Sequence, residues 1–166
     1  MDLLVRDAVP DDAEAITRIL NPIIEARVYT AFDTVFSVDA ERGYIANLSE
    51  RGIWKLAIRR SDGIAVGFQI AEPFATYTRA FDHVATLGTY VELAARRQGV
   101  ATRLFDETFA AAREKGYEKM FTFVRADNSA ALQTYLRHGF RVIATAERQA
   151  RIDGRYVDEV LIEKWL

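Results

Sequence analysis

Hydrophobic and polar positions follow two different periods along this chain, and each change of period marks a predicted boundary between elements. A short apolar start, Leu3 to Arg6, predicts an edge strand. Pro10 and the acids after it are typical of a first helical turn. Apolar residues spaced three or four apart then predict a helix, and they are Ile16, Ile19, Leu20, Ile23 and Ile24. Pro22 lies inside this pattern, so we expect a kink or a break there.

The stretch after this helix, Arg27 to Ser37, is rich in aromatic residues and has no clear period. Tyr29, Phe32 and Phe36 are as consistent with anchors in the core as with the lining of a pocket. The helical pattern returns from Val38 to Leu48. The first part of the chain therefore predicts two helices separated by an aromatic segment.

The middle of the chain changes to the period of two that is typical of strands. Two such runs, Ile53 to Arg59 and Ile64 to Ala71, flank the tight-turn signal Ser61-Asp62-Gly63. They predict an antiparallel hairpin. An irregular connection, Glu72 to Asp82, then leads to a third strand of this region, Val84 to Val91.

A glycine-containing turn follows that strand and opens a helix. The apolar positions of this helix are Val100, Leu104, Phe105, Phe109 and Ala112. Strand, turn and helix in this order direct the free N–H groups of the first helical turn to one place, where the helix adds roughly half a positive charge. Gly99 keeps the backbone approachable, and Arg96 and Arg97 offer charge and fork-shaped donors. The sequence therefore predicts a phosphate-binding turn.

A second strand–turn–helix unit comes next. Met120 to Val124 predicts a buried strand, and Asp127-Asn128-Ser129 supplies cap residues for a short helix from Ala130 to Arg137. Gly139 ends that helix. Two final strands are predicted at Phe140 to Arg148 and Arg155 to Trp165, joined by the hairpin signal Asp153-Gly154.

The short helix carries candidate chemistry beside its packing residues. Leu132 and Leu136 share one face and are expected to pack on the sheet, with Tyr135 offset from that face. Asn128 and Tyr135 can be a cap and a half-buried packing residue and nothing more. If the strands that precede the two helices are neighbours, however, both residues lie towards whatever the phosphate-binding turn holds.

The order of elements predicts an α/β (α+β mixed sheet) fold. Its central sheet is largely antiparallel with one parallel pair near the middle, and helices flank it. With 166 residues and neither a linker nor a repeat, the chain is expected to form a single domain over residues 1–166. The apolar alternation from Val157 to Trp165 could pair two copies across a two-fold axis.

Composition narrows the chemistry. A net charge of −2 argues against non-specific binding to nucleic acid. Because the chain has no cysteine, disulfides, thiolate metal sites and cysteine nucleophiles are excluded. The two histidines, His83 and His138, are far apart, so no metal is expected. No apolar run is long enough to cross a membrane and no signal-peptide pattern is present, so we expect a cytoplasmic protein.

Motifs of the two strand–turn–helix units together resemble the GNAT superfamily of acyl-CoA-dependent N-acetyltransferases. They are Tyr90-Val91-Glu92-Leu93, Arg96 to Ala101, Asn128, Tyr135 and Gly139-Phe140. Within that superfamily the chain is most similar to the phosphinothricin acetyltransferase branch. The stretches that carry this closer similarity are Ile19 to Phe36, Ala80 to Val91 and Asp153 to Asp158. The resemblance implies a GNAT-like fold over nearly the whole chain, with the parallel pair at a splay between the strands that end near Val91 and Val124.

The resemblance implies acetyl-CoA as acetyl donor and assigns residues to it. These residues are Tyr90, Val91, Arg96, Arg97, Gln98, Gly99, Val100, Ala101, Thr102 and Asn128. The backbone from Arg97 to Thr102 would hold the pyrophosphate, Val91 would pair with the pantetheine arm, and Asn128 would hydrogen-bond to that arm. A backbone N–H at Leu93 or Val91 would stabilise the oxyanion. Tyr135 would give a proton to the departing thiolate.

The general base is not identified by the resemblance. Glutamates that serve in two related branches correspond to Thr86 and Phe123 here, so both acids are missing. Nearby candidates are Asp82, His83, Glu92 and Glu72. An alkyl amine has a pKa near 10.4 and must lose a proton before it attacks, so some acceptor for that proton is required.

The resemblance makes a small-molecule, amino-acid-like primary amine of the phosphinothricin or methionine sulfoximine type the leading acceptor. Its pocket would be formed by Arg27 to Ser37, Phe74 to Asp82 and Arg148 to Tyr156. Residues there that could recognise a carboxylate or phosphinate are Arg27, Tyr29, Arg79 and Arg151. A protein N-terminus or side chain as acceptor, and a non-catalytic acyl-CoA sensor, are the alternatives. Relatives in this family are often dimers, which suggests a homodimer.

Overall fold

The computed structural model describes residues 1–166 and contains one seven-stranded sheet flanked by four helices. The strands are β1 (Leu3–Asp7), β2 (Ile53–Arg59), β3 (Ile64–Pro73), β4 (Val84–Val91), β5 (Lys119–Arg125), β6 (Arg141–Ile152) and β7 (Arg155–Trp165). The helices are α1 (Ala13–Glu25), α2 (Val38–Ala46), α3 (Val100–Glu114) and α4 (Ser129–Arg137). Short 3₁₀ turns lie at Pro10–Asp12, Arg79–Phe81 and Leu93–Ala95. Strand order in the sheet is β1-β2-β3-β4-β5-β7-β6.

Every neighbouring pair of strands is antiparallel except β4 and β5. That parallel pairing ends early, at Thr86 opposite Phe121. One step further, the Thr122 hydroxyl donates across the gap to the Leu87 carbonyl at 2.6 Å. Beyond this bridge the two strands separate. The predicted mixed sheet with a parallel pair at a splay is therefore confirmed.

The helices cover the two faces of the sheet and bury different side chains of the same strands. Phe105 and Phe109 of α3 belong to a core cluster with Leu87 of β4 and Met120 of β5. Helix α1 lies over Leu56 and other residues of β2 and β3, and the residues it buries there include Ile16, Ile19, Leu20, Ile23 and Ile24. Each apolar stripe that the sequence predicted for these two helices is thus a buried face.

The sequence predicted a kink or a break at Pro22, and the break is wrong because helix α1 runs through Pro22 to Glu25. Pro22 is exposed, whereas Leu20, Ile23 and Ile24 on either side of it are buried. A proline removes one backbone hydrogen bond and costs about 3 kcal/mol in a helix interior. Burial of several large apolar side chains, at about 1.5–3 kcal/mol each, outweighs that cost.

The prediction that α4 packs through Leu132 and Leu136 is confirmed for Leu132 only, and the prediction that Tyr135 is offset from the packing face is wrong. Tyr135 is the buried residue of this helix, and Ala131 and Leu132 pack beside it. These three share a face because they are separated by three and four positions. The ring of Tyr135 meets Phe105 and Phe140 edge to face, with centroids 5.4 Å and 5.1 Å away.

Strand β7 lies between β5 and β6, so its backbone is paired on both sides. The expectation that Val157 to Trp165 pairs with a second copy is therefore wrong, because that pairing needs a free edge. The free edges of the sheet belong to β1 and β6. None of the helices has the length and apolar character needed to cross a membrane.

Candidate active site

A cleft of about 1320 Å³ opens where β4 and β5 separate. The walls come from the segment between α1 and α2, the middle strands, the start of α3, one side of α4, and β7. The splay gives this cleft access to both faces of the sheet. Residues far apart in the chain therefore meet around one opening.

The turn before α3 forms one end of the cleft. Arg97 and Gly99 are in the left-handed backbone region, with φ of 60° and 84°. The first α-helical hydrogen bond of this turn runs from the Arg103 N–H to the Gly99 carbonyl at 3.2 Å. The N–H groups of Val100 to Thr102 precede it and have no partner within the helix. This arrangement provides donors and the positive end of a helix for an anion.

Most residues predicted for this turn lie at the cleft. Arg96, Arg97, Gly99, Val100, Ala101 and Thr102 all line it. Gln98 does not, because its side-chain amide turns back and donates to the Ala94 carbonyl at 3.1 Å. The Arg96 guanidinium lies 4.0 Å over the ring of Tyr29, which positions its charge beside the turn.

The edge of β4 supplies a second set of free backbone groups. In the β3–β4 ladder, the Glu92 N–H donates to the Val66 carbonyl, and the Val84 carbonyl accepts from the Phe74 N–H. The backbone N–H and C=O groups of even-numbered residues in β4 therefore point towards β3. The backbone groups of Thr89 and Val91 therefore face the splay. Val91 lies where the resemblance requires a partner for the pantetheine arm.

Tyr90 also lines the cleft, but its backbone groups point away from the splay. Its backbone faces β3, and its ring stacks on Phe68 with centroids 4.9 Å apart and on Phe32 at 6.3 Å. Burial raises the pKa of the Tyr90 phenol, so it stays neutral. Tyr90 is thus a wall residue on the α1 and α2 side of the sheet.

The Tyr135 hydroxyl is at the splay. It donates to the Thr89 hydroxyl at 3.0 Å, and the Gln69 side-chain amide donates to the same oxygen at 2.7 Å. Burial raises the pKa of Tyr135 to about 12, so the phenol keeps its proton at neutral pH. Sequence reasoning singled out Tyr135 but gave no indication of Thr89 or Gln69, since their meeting depends on strand register.

Asn128 joins two parts of the cleft wall. Its side-chain oxygen accepts from the Ala131 N–H at 3.2 Å and caps α4. Its side-chain N–H donates to the Tyr29 carbonyl at 3.1 Å. Asn128 therefore caps α4 and also lines the cleft. Its contact with Tyr29 connects α4 to the aromatic segment between α1 and α2.

Of the four nearby candidates for a base, only Glu72 lines the cleft. The Tyr44 hydroxyl donates to its carboxylate. Asp82 lies by Arg51 and Arg79, with N–O distances of 3.9 Å and 3.5 Å. Glu92 pairs with Arg18 at 2.5 Å, and His83 lies outside the cleft.

Three charged residues that sequence reasoning missed are buried in the cleft wall. Glu41 of α2, Arg125 of β5 and Glu159 of β7 are 3%, 6% and 1% exposed. Burial raises the pKa of both glutamates, that of Glu159 to about 7. No signal in the linear sequence marks them, because their burial depends on which elements pack together and not on their neighbours along the chain.

The arginines predicted to recognise a carboxylate are outside the cleft. Arg27, Arg79 and Arg151 are exposed and do not line it, although Tyr29 does. Buried Arg125 is fully engaged: it grips the Asp127 carboxylate at 2.9 Å and 2.7 Å and donates to the Arg27 and Thr30 carbonyls. The cleft wall therefore carries three acids, Glu41, Glu72 and Glu159, beside one arginine whose nitrogens are all engaged.

Comparisons with known proteins agree with this geometry. Bacillus subtilis (strain 168) YwnH, provisionally named a phosphinothricin acetyltransferase, is 25% identical over 157 residues, 94% of each chain. The ribosomal-protein-alanine N-acetyltransferase structure from Brucella melitensis gives a TM-score of 0.90 at 25% identity, over 98% of this chain and 99% of that one. The Sinorhizobium meliloti phosphinothricin acetyltransferase, in complex with acetyl-CoA, shares the fold with a TM-score of 0.90 at 20% identity, over 100% of this chain and 89% of that one.

The family comparison covers most of the cleft. The model of the acetyltransferase (GNAT) family matches residues 24–140, which include the α3 turn, the splay and α4. The sequence resemblance to this family and to phosphinothricin acetyltransferases is therefore confirmed. On this match the chain belongs to the GNAT family of acetyltransferases, acyltransferases that use acetyl-CoA as cosubstrate.

Proposed function

We propose that this enzyme transfers the acetyl group of acetyl-CoA to the primary amine of a small molecule, with Tyr135 as the proton donor to the CoA thiolate. The observation that carries the proposal is the position of the Tyr135 hydroxyl, which bonds Thr89 at the splay while the α3 turn lies at the end of the same cleft. The anion site and the proton donor thus share one opening.

The α3 turn and the β4 edge divide the binding of acetyl-CoA between them. The N–H groups from Arg97 to Thr102 suit the pyrophosphate, with Arg96 beside them. The Val91 backbone faces the splay and suits an extended amide-containing arm that pairs like an added strand. Asn128, which lines the cleft, has remaining amide capacity for that arm.

The reaction needs a donor at sulfur. A departing thiolate has a pKa near 8.5, and a neutral phenol can hydrogen-bond to it as negative charge develops. The pKa of Tyr135, raised to about 12 by burial, keeps that phenol protonated throughout the neutral range. Thr89 and Gln69 fix the direction of the hydroxyl.

Aromatic walls favour a small acceptor over a protein acceptor. Phe32 lies edge to face with Phe36 at 5.3 Å and near Tyr90, and Tyr44 and Trp54 continue this surface. Such a wall suits a compact apolar body. The resemblance makes amino-acid-like amines the first candidates. The acids of the cleft wall, Glu41, Glu72 and Glu159, instead favour amines without a carboxylate.

The test is thiol release from acetyl-CoA over a panel that includes phosphinothricin and methionine sulfoximine. It pairs leucine with isoamylamine and phenylalanine with phenethylamine, and adds a peptide with an N-terminal alanine. We expect turnover on a small amine, and a loss of about 10²- to 10⁴-fold in kcat for Tyr135→Phe. Tyr117→Phe is the matched control, because Tyr117 is also buried but bonds the Arg51 carbonyl outside the cleft.

Each outcome separates the alternatives. Turnover of the peptide alone would replace the small-molecule acceptor by a protein one. Acetyl-CoA binding without any turnover would identify a sensor domain. Full kcat in Tyr135→Phe would remove tyrosine from the role of proton donor.

A further inference from the structure

Glu159 is the one acid in the cleft wall whose two carboxylate oxygens are both fully buried without a hydrogen-bond partner. The side chain is 1% exposed, and neither Oε1 nor Oε2 is hydrogen-bonded. Glu163 on the same strand is similarly buried, yet it is bonded to both Lys119 and Arg141. Burying a carboxylate that has no hydrogen-bond partner costs free energy. A cationic ligand or a bound proton would therefore stabilise Glu159.

The neighbouring arginine does not neutralise it. Arg125 stands directly opposite Glu159 in the β5–β7 ladder, which places both side chains on the same face of the sheet. All of the arginine's nitrogens, however, are already bonded to Asp127 or to backbone carbonyls of the segment between α1 and α2. The carboxylate of Glu159 is left for a ligand.

Glu159 faces the side of the splay opposite to Tyr135. Val160 belongs to the core cluster that contains Tyr135, and side chains of successive strand residues point to opposite faces. Glu159 therefore points to the face that also carries Phe123, two residues from its partner Arg125 on β5. An acceptor amine that entered from this face would approach the splay from the side opposite to Tyr135.

We propose that Glu159 binds the ammonium group of the acceptor and takes its proton before the amine attacks the thioester. This proposal rests on the proposed function. The ammonium proton passes to the carboxylate, and the amine nitrogen forms the C–N bond while the C–S bond breaks. The thiolate takes a proton from Tyr135 and leaves as a thiol. The nitrogen then gives up a second proton, which restores the phenol of Tyr135. The products are the N-acetyl amine, CoA thiol and one proton released from Glu159.

The surroundings of Glu159 suit a base that works near neutral pH. Burial raises its pKa to about 7, the charge of Arg125 lowers it and that of Asp127 raises it. Strand β6 faces it with the uncharged Ala146. Glu41 and Glu72 are the other acids of the cleft. A base with a pKa near the working pH is most effective in proton transfer.

The experiment compares wild type and Glu159→Gln in kcat/KM between pH 5.5 and 9, with an acceptor amine whose own pKa is above 9.5. Wild type should lose activity about tenfold per pH unit below a pKa near 7. Glu159→Gln should be about 10²- to 10⁴-fold slower and should lack that acidic limb. The Kd for acetyl-CoA should stay within a factor of about two, and thermal unfolding should show an intact fold.

Two variants serve as controls. Glu163→Gln removes a buried acid from the same strand outside the cleft, and should retain kcat and the pH profile. Glu41→Gln tests the rival acid; if it abolishes the acidic limb while Glu159→Gln keeps it, the proposal is overturned. An unchanged kcat with only a raised KM in Glu159→Gln would also overturn the proton-accepting role. Lack of turnover in wild type itself would instead refute the proposed function, and this proposal with it.

Discussion

At the scale of single residues, Gly99 and Gly63 have the same local geometry and different surroundings. Both are in the left-handed region, with φ of 84° and 73°, and a Cβ at either would meet no atom within 4 Å. Gly99 opens α3 at the cleft, while Gly63 is in the turn between β2 and β3. The pair can therefore separate backbone strain from ligand contact.

We predict that Gly99→Ala raises the Kd for acetyl-CoA about tenfold or more, because its Cβ projects where the phosphates must approach the backbone. Both Gly99→Ala and Gly63→Ala should lower the free energy of unfolding by about 1–2 kcal/mol, but Gly63→Ala should leave the Kd for acetyl-CoA unchanged. Calorimetric titration and urea denaturation measure the two effects. Equal Kd values in both variants would show that the turn does not contact the phosphates.

At the scale of elements, the packing of the start of α3 against β3 determines where the predicted phosphate-binding turn lies. A Cβ on Gly67 would come within 2.8 Å of Val100 Cγ1 and 3.0 Å of the Tyr90 carbonyl. Val100 is the first residue of α3, and Tyr90 is in the strand along the cleft. This glycine allows strand, helix start and cleft edge to come together.

Gly67→Ala should lower the free energy of unfolding by about 1–3 kcal/mol, since the added methyl overpacks this junction. It should also weaken acetyl-CoA binding, because the start of α3 must shift. Gly43→Ala is the matched control: its position on α2 has nothing within 4 Å, and alanine should stabilise a helix there by about 0.8–1 kcal/mol. Urea denaturation of both variants checks the opposite signs. A neutral Gly67→Ala would mean that the junction relaxes freely.

At the scale of the whole molecule, buried acids couple stability to pH. The pKa of Glu159 is raised to about 7 from an ordinary value of 4.5, so between these values the folded state holds more of a proton than the unfolded state. Stability from this group therefore falls as pH rises from 4.5 to 7. Asp12 and Asp127 act in the opposite sense, because Arg6 and Arg125 lower their pKa values, and their contribution is lost as pH falls below the ordinary aspartate range.

We predict that Glu159→Gln is more stable than wild type at neutral pH, because it removes a buried charge without a partner. The difference in free energy of unfolding should grow from pH 5 to pH 7 and level off above it. Urea denaturation at unit pH steps measures this difference. A difference that is constant across the range would mean that Glu159 has the same pKa in the folded and unfolded states.

The sequence by itself determined the elements and the chemistry of the α3 turn. Period-two and helical patterns, glycine turns and caps are local, so the strands, all four helices and the turn that opens α3 followed from neighbouring residues. The family resemblance added acetyl-CoA, and it suggested Tyr135 as the proton donor, a role that remains a prediction. The single domain, the homodimer and the individual roles of the cofactor residues remain predictions.

Only the tertiary structure decided which distant residues share the cleft. Strand register placed Thr89 under the Tyr135 hydroxyl, and Glu159 opposite Arg125. A shift of one residue in register would turn each side chain to the other face, and no local pattern fixes the pairing of strands so far apart in the chain. The arginines that the sequence offered for substrate recognition are outside the cleft. The buried acid Glu159 came instead from a strand that sequence reasoning had expected to pair with a second copy.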